Sequence, residues 1–232
     1  MSEGRIPMGI GGLDAMLSGG LLAGSIGVLI GTYGTGKTTF ALQFVHDGLV
    51  RGEKVIYISL EEREESLLAA IEQKGWDLSA YKDTSFFMIR LDPTDFKLAI
   101  SSIKSELPSL IRSIGASRVV IDPISLFEGL FENEAVRRKE MFSFIEGMRD
   151  EPCTLLMTSE MDVNHPYASK YGIIEYLADT VVILRYIRPE TSSEAHLALE
   201  VVKMRRSPHS REIKPFSITR DRVVVHSEAT LF

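Results

Sequence analysis

Residues 31–39 read GTYGTGKTT, and Gly31, Gly36, Lys37 and Thr38 satisfy the pattern G-x-x-x-x-G-K-[ST] in full. Glycines leave bare backbone, so successive N–H groups can close on an anion that side chains would otherwise keep away. The chemistry implied is the cradling of a polyphosphate. Gly34, Thr35, Gly36, Lys37, Thr38 and Thr39 then form the nucleotide-binding set, in which Lys37 pairs with β- and γ-phosphate oxygens and the Thr38 hydroxyl ligates Mg2+. An ordinary glycine turn is the competing explanation. The complete pattern arises by chance in about one chain of this length in a hundred, before a preceding strand and a following helix are also required.

Asp122 ends the apolar run RVVID. A carboxylate at the end of a second core strand can hold Mg2+ and its waters; Asp122-Pro123 also suits a plain turn, and the complete glycine loop favours the site. Glu61 and Glu62, in ISLEEREES, close the strand that follows the loop's helix. Hydrolysis needs a carboxylate that orients a water in line with the γ-phosphate and takes its proton. Neighbouring strand residues face opposite sides, so one of the two points at that water. Acidic residues also favour a helix N-terminus, which accounts for Glu64 and Glu65 better than for the pair before them. In HLALEVVKMRRSPHS the alternation of Leu197, Leu199 and Val201 carries on through Lys203 and Arg205. From spacing alone, a solvated strand end explains those two cations better than a phosphate clamp. Thr158, Ser159 and Glu160 end another strand, where a γ-phosphate sensor and a simple turn fit equally well.

The elements that must position these residues alternate along the chain. Strand SIGVLI, a helix from Lys37, strand KVIYISL, helix ESLLAAIEQKG, strand SFFMIRL, helix DFKLAISSIKSELPSLIRSIG and strand SRVVID follow one another, then helix RRKEMFSFIEGMRD and strand CTLLMTS. That order predicts βα units on a parallel sheet. DTVVILRYI, AHLALEVVKMR, EIKPFSIT and RVVVHS come with hardly any helix between them, which predicts antiparallel strands extending the same sheet. The fold class is therefore α/β, with a mostly parallel central sheet flanked by helices. Pro108 predicts a kink or break in its helix. Nothing resembling a linker divides residues 1–232, and one domain is expected.

The chain has 232 residues, 44% of them hydrophobic, with 32 acidic against 26 basic side chains and a formal charge of −6. This balance argues against a surface built mainly to neutralise nucleic-acid phosphates. Cys153 is the single cysteine, so no disulfide forms within the chain, and a reducing, cytoplasmic setting fits. The N-terminus lacks an uninterrupted apolar segment behind basic residues, and LLAGSIGVLIG is too short and glycine-broken to cross a bilayer, so no membrane insertion is expected. His46, His165, His196, His209 and His226 show no metal-ligand spacing.

Taken together, GIGGLDAMLSGGLLAGS, GTYGTGKTTFALQFVHDG, ISLEE, KGWDL, VVIDPIS, ADTVVILRY and KMRRSPHS resemble the KaiC family of RecA-like P-loop ATPases, from about Ile6 to Thr219. The resemblance implies a RecA-like core in a hexameric ring, with ATP and Mg2+ bound between subunits. It implies that Glu61 and Glu62 are the catalytic pair acting with Lys37, and that Thr38, Asp122 and Glu62 attend the metal. It also implies that the Lys203-Met204-Arg205 segment and His209 reach the nucleotide of the adjacent subunit, with Lys203 and Arg205 aiding catalysis there. The family's clock protein has two such domains in tandem. Where its second domain has adjacent Ser and Thr phosphoacceptors, this chain has Glu175 and Tyr176, so autophosphorylation of that kind is not expected. The leading functional expectation is an oligomeric ATPase whose hydrolysis is coupled to ring conformation or to an unidentified protein partner. A nucleotide-dependent scaffold with negligible turnover, a recombinase- or helicase-like DNA-dependent ATPase and a protein kinase are the alternatives.

Overall fold

The computed structural model describes residues 4–78, 80–92, 95, 100–188 and 195–229. A short antiparallel pair, β1 (Arg5–Ile6) and β2 (Leu21–Leu22), encloses α1 (Gly11–Met16). Then come β3 (Ile26–Gly31), α2 (Lys37–Val50), β4 (Val55–Ser59), α3 (Glu64–Gln73) and β5 (Phe86–Arg90). After α4 (Leu107–Ile114) follow β6 (Arg118–Asp122), α5 (Ile124–Gly129), α6 (Glu134–Arg149), β7 (Thr154–Glu160) and α7 (Ile174–Leu177). The chain closes with β8 (Thr180–Ile187), β9 (His196–Met204), β10 (Lys214–Ile218) and β11 (Val223–Val225).

Nine of these strands form one sheet in the order β11-β10-β9-β8-β3-β7-β6-β4-β5. From β8 to β5 every pairing is parallel, and β8, β9, β10 and β11 pair antiparallel, as the loss of intervening helices predicts. Parallel strands covered on both faces should be apolar throughout. Their middles are, with polar residues confined to their ends, and the period of two divides the apolar residues between two cores. Leu29, Tyr57, Val120, Leu156 and Val182 pack with Phe40, Phe44 and Val45 of α2. Val28, Ile30, Ile56, Ile58, Val119, Ile121 and Met157 pack with Ile111 of α4, Phe127 of α5 and Met141 and Phe144 of α6.

Because Asp122 and Thr158 share their strands' faces with Val120 and Leu156, the same alternation turns them toward the α2 side. The fold thereby aims the ends of β6 and β7 at the start of the glycine loop's helix.

The kink or break expected at Pro108 does not interrupt the helix: a π turn over Ser102–Glu106 runs directly into α4, with helical backbone angles at Glu106 and Leu107. Proline has no N–H to donate and its ring crowds the carbonyl four residues back, and the wider turn accommodates both. Residues 96–99 of that helical pattern lie outside the described residues. Cys153 is buried, and burial followed by the charge of Glu151 pushes its thiol up to about 12, so it packs as a small apolar residue. Among the described residues no helix is long and apolar enough to cross a membrane.

Candidate nucleotide site

The loop between β3 and α2 holds its shape by its own polar groups. Thr35 Oγ1 donates to the carbonyl of Thr32 at 2.8 Å, and Lys37 Nζ donates to the carbonyls of Gly31 and Thr32 at 2.9 and 3.0 Å. Gly34 and Gly36 have φ of +74° and +88°, a region that side chains strain. A Cβ on Gly36 would also stand 2.4 Å from Ile218 Cδ1. Gly36 caps α2, no side chain caps the helix, and its first turn carries no acidic residue. Its leading N–H groups and positive dipole end are left facing the cleft.

That cleft has a volume of about 770 Å³, and its lining includes Gly34, Gly36, Lys37, Thr38, Thr39, Glu61 and Asp122. Seven of the expected residues thus converge on one space. Asp122 is buried and held on both oxygens: Tyr57 Oη donates to Oδ2 at 2.5 Å and Thr158 Oγ1 donates to Oδ1. Burial and then the Asp122 charge push the Tyr57 phenol well above its ordinary value, which keeps it a donor. Burial lowers the Lys37 ammonium, opposed by Asp122, Glu160 and Glu61. Glu61 is raised, first by burial and then by Asp122, Glu160 and Glu62, against the pull of Lys37. A cation held by backbone carbonyls in the field of three carboxylates, beside a helix start and a glycine loop, suits a polyphosphate. Thr38 and Asp122, both in the lining, carry oxygens of the kind that Mg2+ takes as ligands.

Several expectations are corrected by the geometry. Strand β4 ends at Ser59, so Glu61 and Glu62 lie beyond it in a bend, and strand alternation does not decide between them. Glu61 lines the cleft; the carboxylate of Glu62 instead accepts from Ser66 Oγ at 3.0 Å at the start of α3, and its carbonyl accepts from Ser59 Oγ at 2.7 Å. The structure does not bring Glu62 together with Thr38 and Asp122. Thr35 is fully buried and turned into the loop, so its side chain shapes the cradle rather than lining it.

Lys203, Met204, Arg205 and His209 are likewise absent from this cleft's lining. Lys203 Nζ donates to the carbonyls of Glu175 and Tyr176 at 2.8 and 3.1 Å, and Arg205 Nη2 donates to that of Tyr176 at 2.8 Å. Both cations sit at the carboxyl end of α7, with Asp179 Oδ1 3.7 Å from Arg205. Burial, then the Arg205 charge, pushes Lys203 down to about 8. Met204 is buried beside them, and His209 Nε2 is buried without a hydrogen-bond partner. The cleft also has walls that motif reading did not assign: Tyr33, Met161, Asp162, Val163, Lys170 and Ile218. Tyr33 occupies a position the motif leaves open, and the others come from turns and a distant strand end, where no spacing marks them.

A parallel sheet whose glycine-loop strand β3 is separated by β7 from the aspartate-bearing β6 defines a RecA-like P-loop nucleotide-binding fold. The family model "ATPase: KaiC" matches residues 6–230, and the chain belongs to that family of ATPases. It is 31% identical over 221 residues to the circadian clock oscillator protein KaiC of Parathermosynechococcus lividus, covering 92% of this chain and 40% of that one. Against KaiC of Prochlorococcus marinus it is 31% identical over 233 residues, covering 97% and 45%. The chain therefore spans less than half the length of these curated relatives. A crystal structure of a KaiC-like protein from the hyperthermophilic archaeon Pyrococcus horikoshii OT3 superposes with a TM-score of 0.84 at 28% identity, covering 97% of this chain and 99% of that one.

Proposed function

We propose that this chain forms one Mg2+-dependent ATPase domain, working in the cytoplasm, that holds ATP between the subunits of a hexameric ring and couples its hydrolysis to ring conformation or to a protein partner. The observation that carries the reading is the convergence of Lys37, Thr38, Asp122 and Glu61 on one cleft at the uncapped start of α2. Lys37 exchanges the carbonyls of Gly31 and Thr32 for β- and γ-phosphate oxygens, while the backbone from Gly34 to Thr39 encloses the phosphates. Bound magnesium supplies charge neutralisation across the phosphates, with Thr38 and Asp122 holding it. Glu61 orients a water and takes its proton as the water oxygen bonds to the γ-phosphorus and the bond to the ADP oxygen breaks. Its raised pKa suits that task, because it is a stronger base than an exposed carboxylate.

Lys203, Met204, Arg205 and His209 do not line their own cleft, which supports a role at a neighbouring copy's nucleotide. There a guanidinium stabilises the charge on the transferring phosphoryl group. Phosphate release by the full chain, measured with Glu61→Gln alongside, tests the reading. The expected outcome is loss of turnover by about 100-fold or more with ATP binding retained. Turnover unchanged by Glu61→Gln would exclude Glu61 as the base.

A further inference from the structure

We propose that Lys170 is a second cation for the terminal phosphate, supplied to the cleft by the same subunit that provides Lys37, and that Glu160 holds it ready. This rests on the nucleotide reading and adds a residue that no motif marks. Glu160 ends β7 opposite Gly31, the first residue of the glycine loop, and both Glu160 and Lys170 line the cleft. The segment between them folds back on itself. The Lys170 amide donates to the Glu160 carbonyl at 2.8 Å, the Asp162 amide donates to Ala168 at 3.0 Å, and Met161 bridges to Ser169.

This turn is tied down at both ends. The Met161 amide donates to the Gly31 carbonyl at 3.2 Å, the same oxygen that accepts from Lys37 Nζ. On the other side Ser169, fully buried, donates its hydroxyl to Glu175. Lys170 is thus mounted on a closed turn hydrogen-bonded to the loop that would carry the phosphates.

Its ammonium pairs with Glu160 Oε2, and each side chain of the pair remains 44% exposed. An ion pair so exposed contributes little, so a phosphate bearing more charge can take the lysine from the carboxylate at small cost. Glu160 also faces Lys37 and Glu61 electrostatically, and Lys170 is in turn raised by Glu160, its pairing partner, and by Glu61. Two lysines and two carboxylates therefore share one field at the outer end of the loop. A diphosphate lacks the group that would draw Lys170 across. Lys170 accordingly discriminates triphosphate from diphosphate, whereas Lys37 serves both.

Calorimetric titration of the full chain with ADP and with a nonhydrolysable imido analogue of ATP, both with excess Mg2+, tests this. Lys170→Gln should weaken the analogue about tenfold while leaving ADP within about twofold, and Lys170→Arg should keep the wild-type preference. Glu160→Gln frees the lysine and should raise the preference for the analogue about threefold, which decides the matter if Lys170→Gln fails to fold. An analogue-to-ADP ratio that Lys170→Gln leaves unchanged, or that Glu160→Gln fails to raise, overturns the proposal. Binding of neither nucleotide by the wild-type protein overturns the nucleotide reading itself.

Discussion

Glu128 on α5 is fully buried, and both of its carboxylate oxygens lack a hydrogen-bond partner. Burial, then the charge of Glu175, raises it from an ordinary 4.5 to about 8, with Arg137 opposing. The folded protein therefore keeps a proton that the unfolded chain releases between about pH 4.5 and pH 8, and stability falls as pH rises through that window. Asp14, raised to about 6 chiefly by burial, acts in the same direction over a narrower range. Glu128→Gln removes the Glu128 contribution alone. In urea unfolding at pH 5 and pH 8.5, the wild type should lose on the order of a few kcal/mol more than Glu128→Gln; equal losses would show that Glu128 ionises without cost. No local pattern announces this residue, since burial is a property of the packed fold. The glycine loop and Asp122 were legible because their chemistry is written in consecutive residues. Thr35 was legible only as a member of the motif, and its inward turn toward Thr32 depends on loop geometry that spacing does not carry.

At the scale of elements, Arg118 joins the two parts of the fold that build the cleft. Fully buried at the start of β6, it donates to Glu53 at 2.7 and 3.0 Å, to Asp47 at 3.0 Å, and to the carbonyls of Phe44 and Pro7 at 2.8 and 2.9 Å. Its guanidinium also lies 4.5 Å from the centroid of the Phe44 ring. One side chain thus clips α2, which carries Lys37, to the strand that carries Asp122. Arg118→Met removes the cation and leaves Asp47 and Glu53 with only Arg51 and Ser117 as donors, and should cost about 3 kcal/mol in urea unfolding. A change below about 0.5 kcal/mol would mean that the network is dispensable. The strands were legible because apolar runs of four to eight residues with β-branched side chains have few other uses. The short elements α1, α5 and α7 were not, as helices of 6, 6 and 4 residues are too brief to show a period and are held by tertiary packing. The strand placement of Glu61 and Glu62 failed for a related reason: the apolar run continues to Leu60, but pairing stops at Ser59.

The whole molecule carries its nucleotide loop on one surface and its Lys203–Arg205 pair on another, where the pair holds the carboxyl end of α7. Sheet order and the antiparallel extension were legible from the sequence of elements. The separation of the basic pair from its own cleft was expected only through the family resemblance, because the pair continues an apolar strand face and its spacing gives no sign of which cleft it serves. A site split between copies follows if each nucleotide takes its loop from one subunit and Lys203 and Arg205 from the next. Phosphate release by mixtures of two variants measures this directly. Lys37→Ala spoils the loop and spares the basic pair, and Arg205→Ala does the reverse. Each alone should fall about 100-fold or more, and the mixture should regain activity well above the sum of its parts, since some interfaces join an intact loop to an intact arginine. Wild-type turnover by Arg205→Ala, or a mixture no faster than the mean of its components, would contradict a nucleotide shared between subunits.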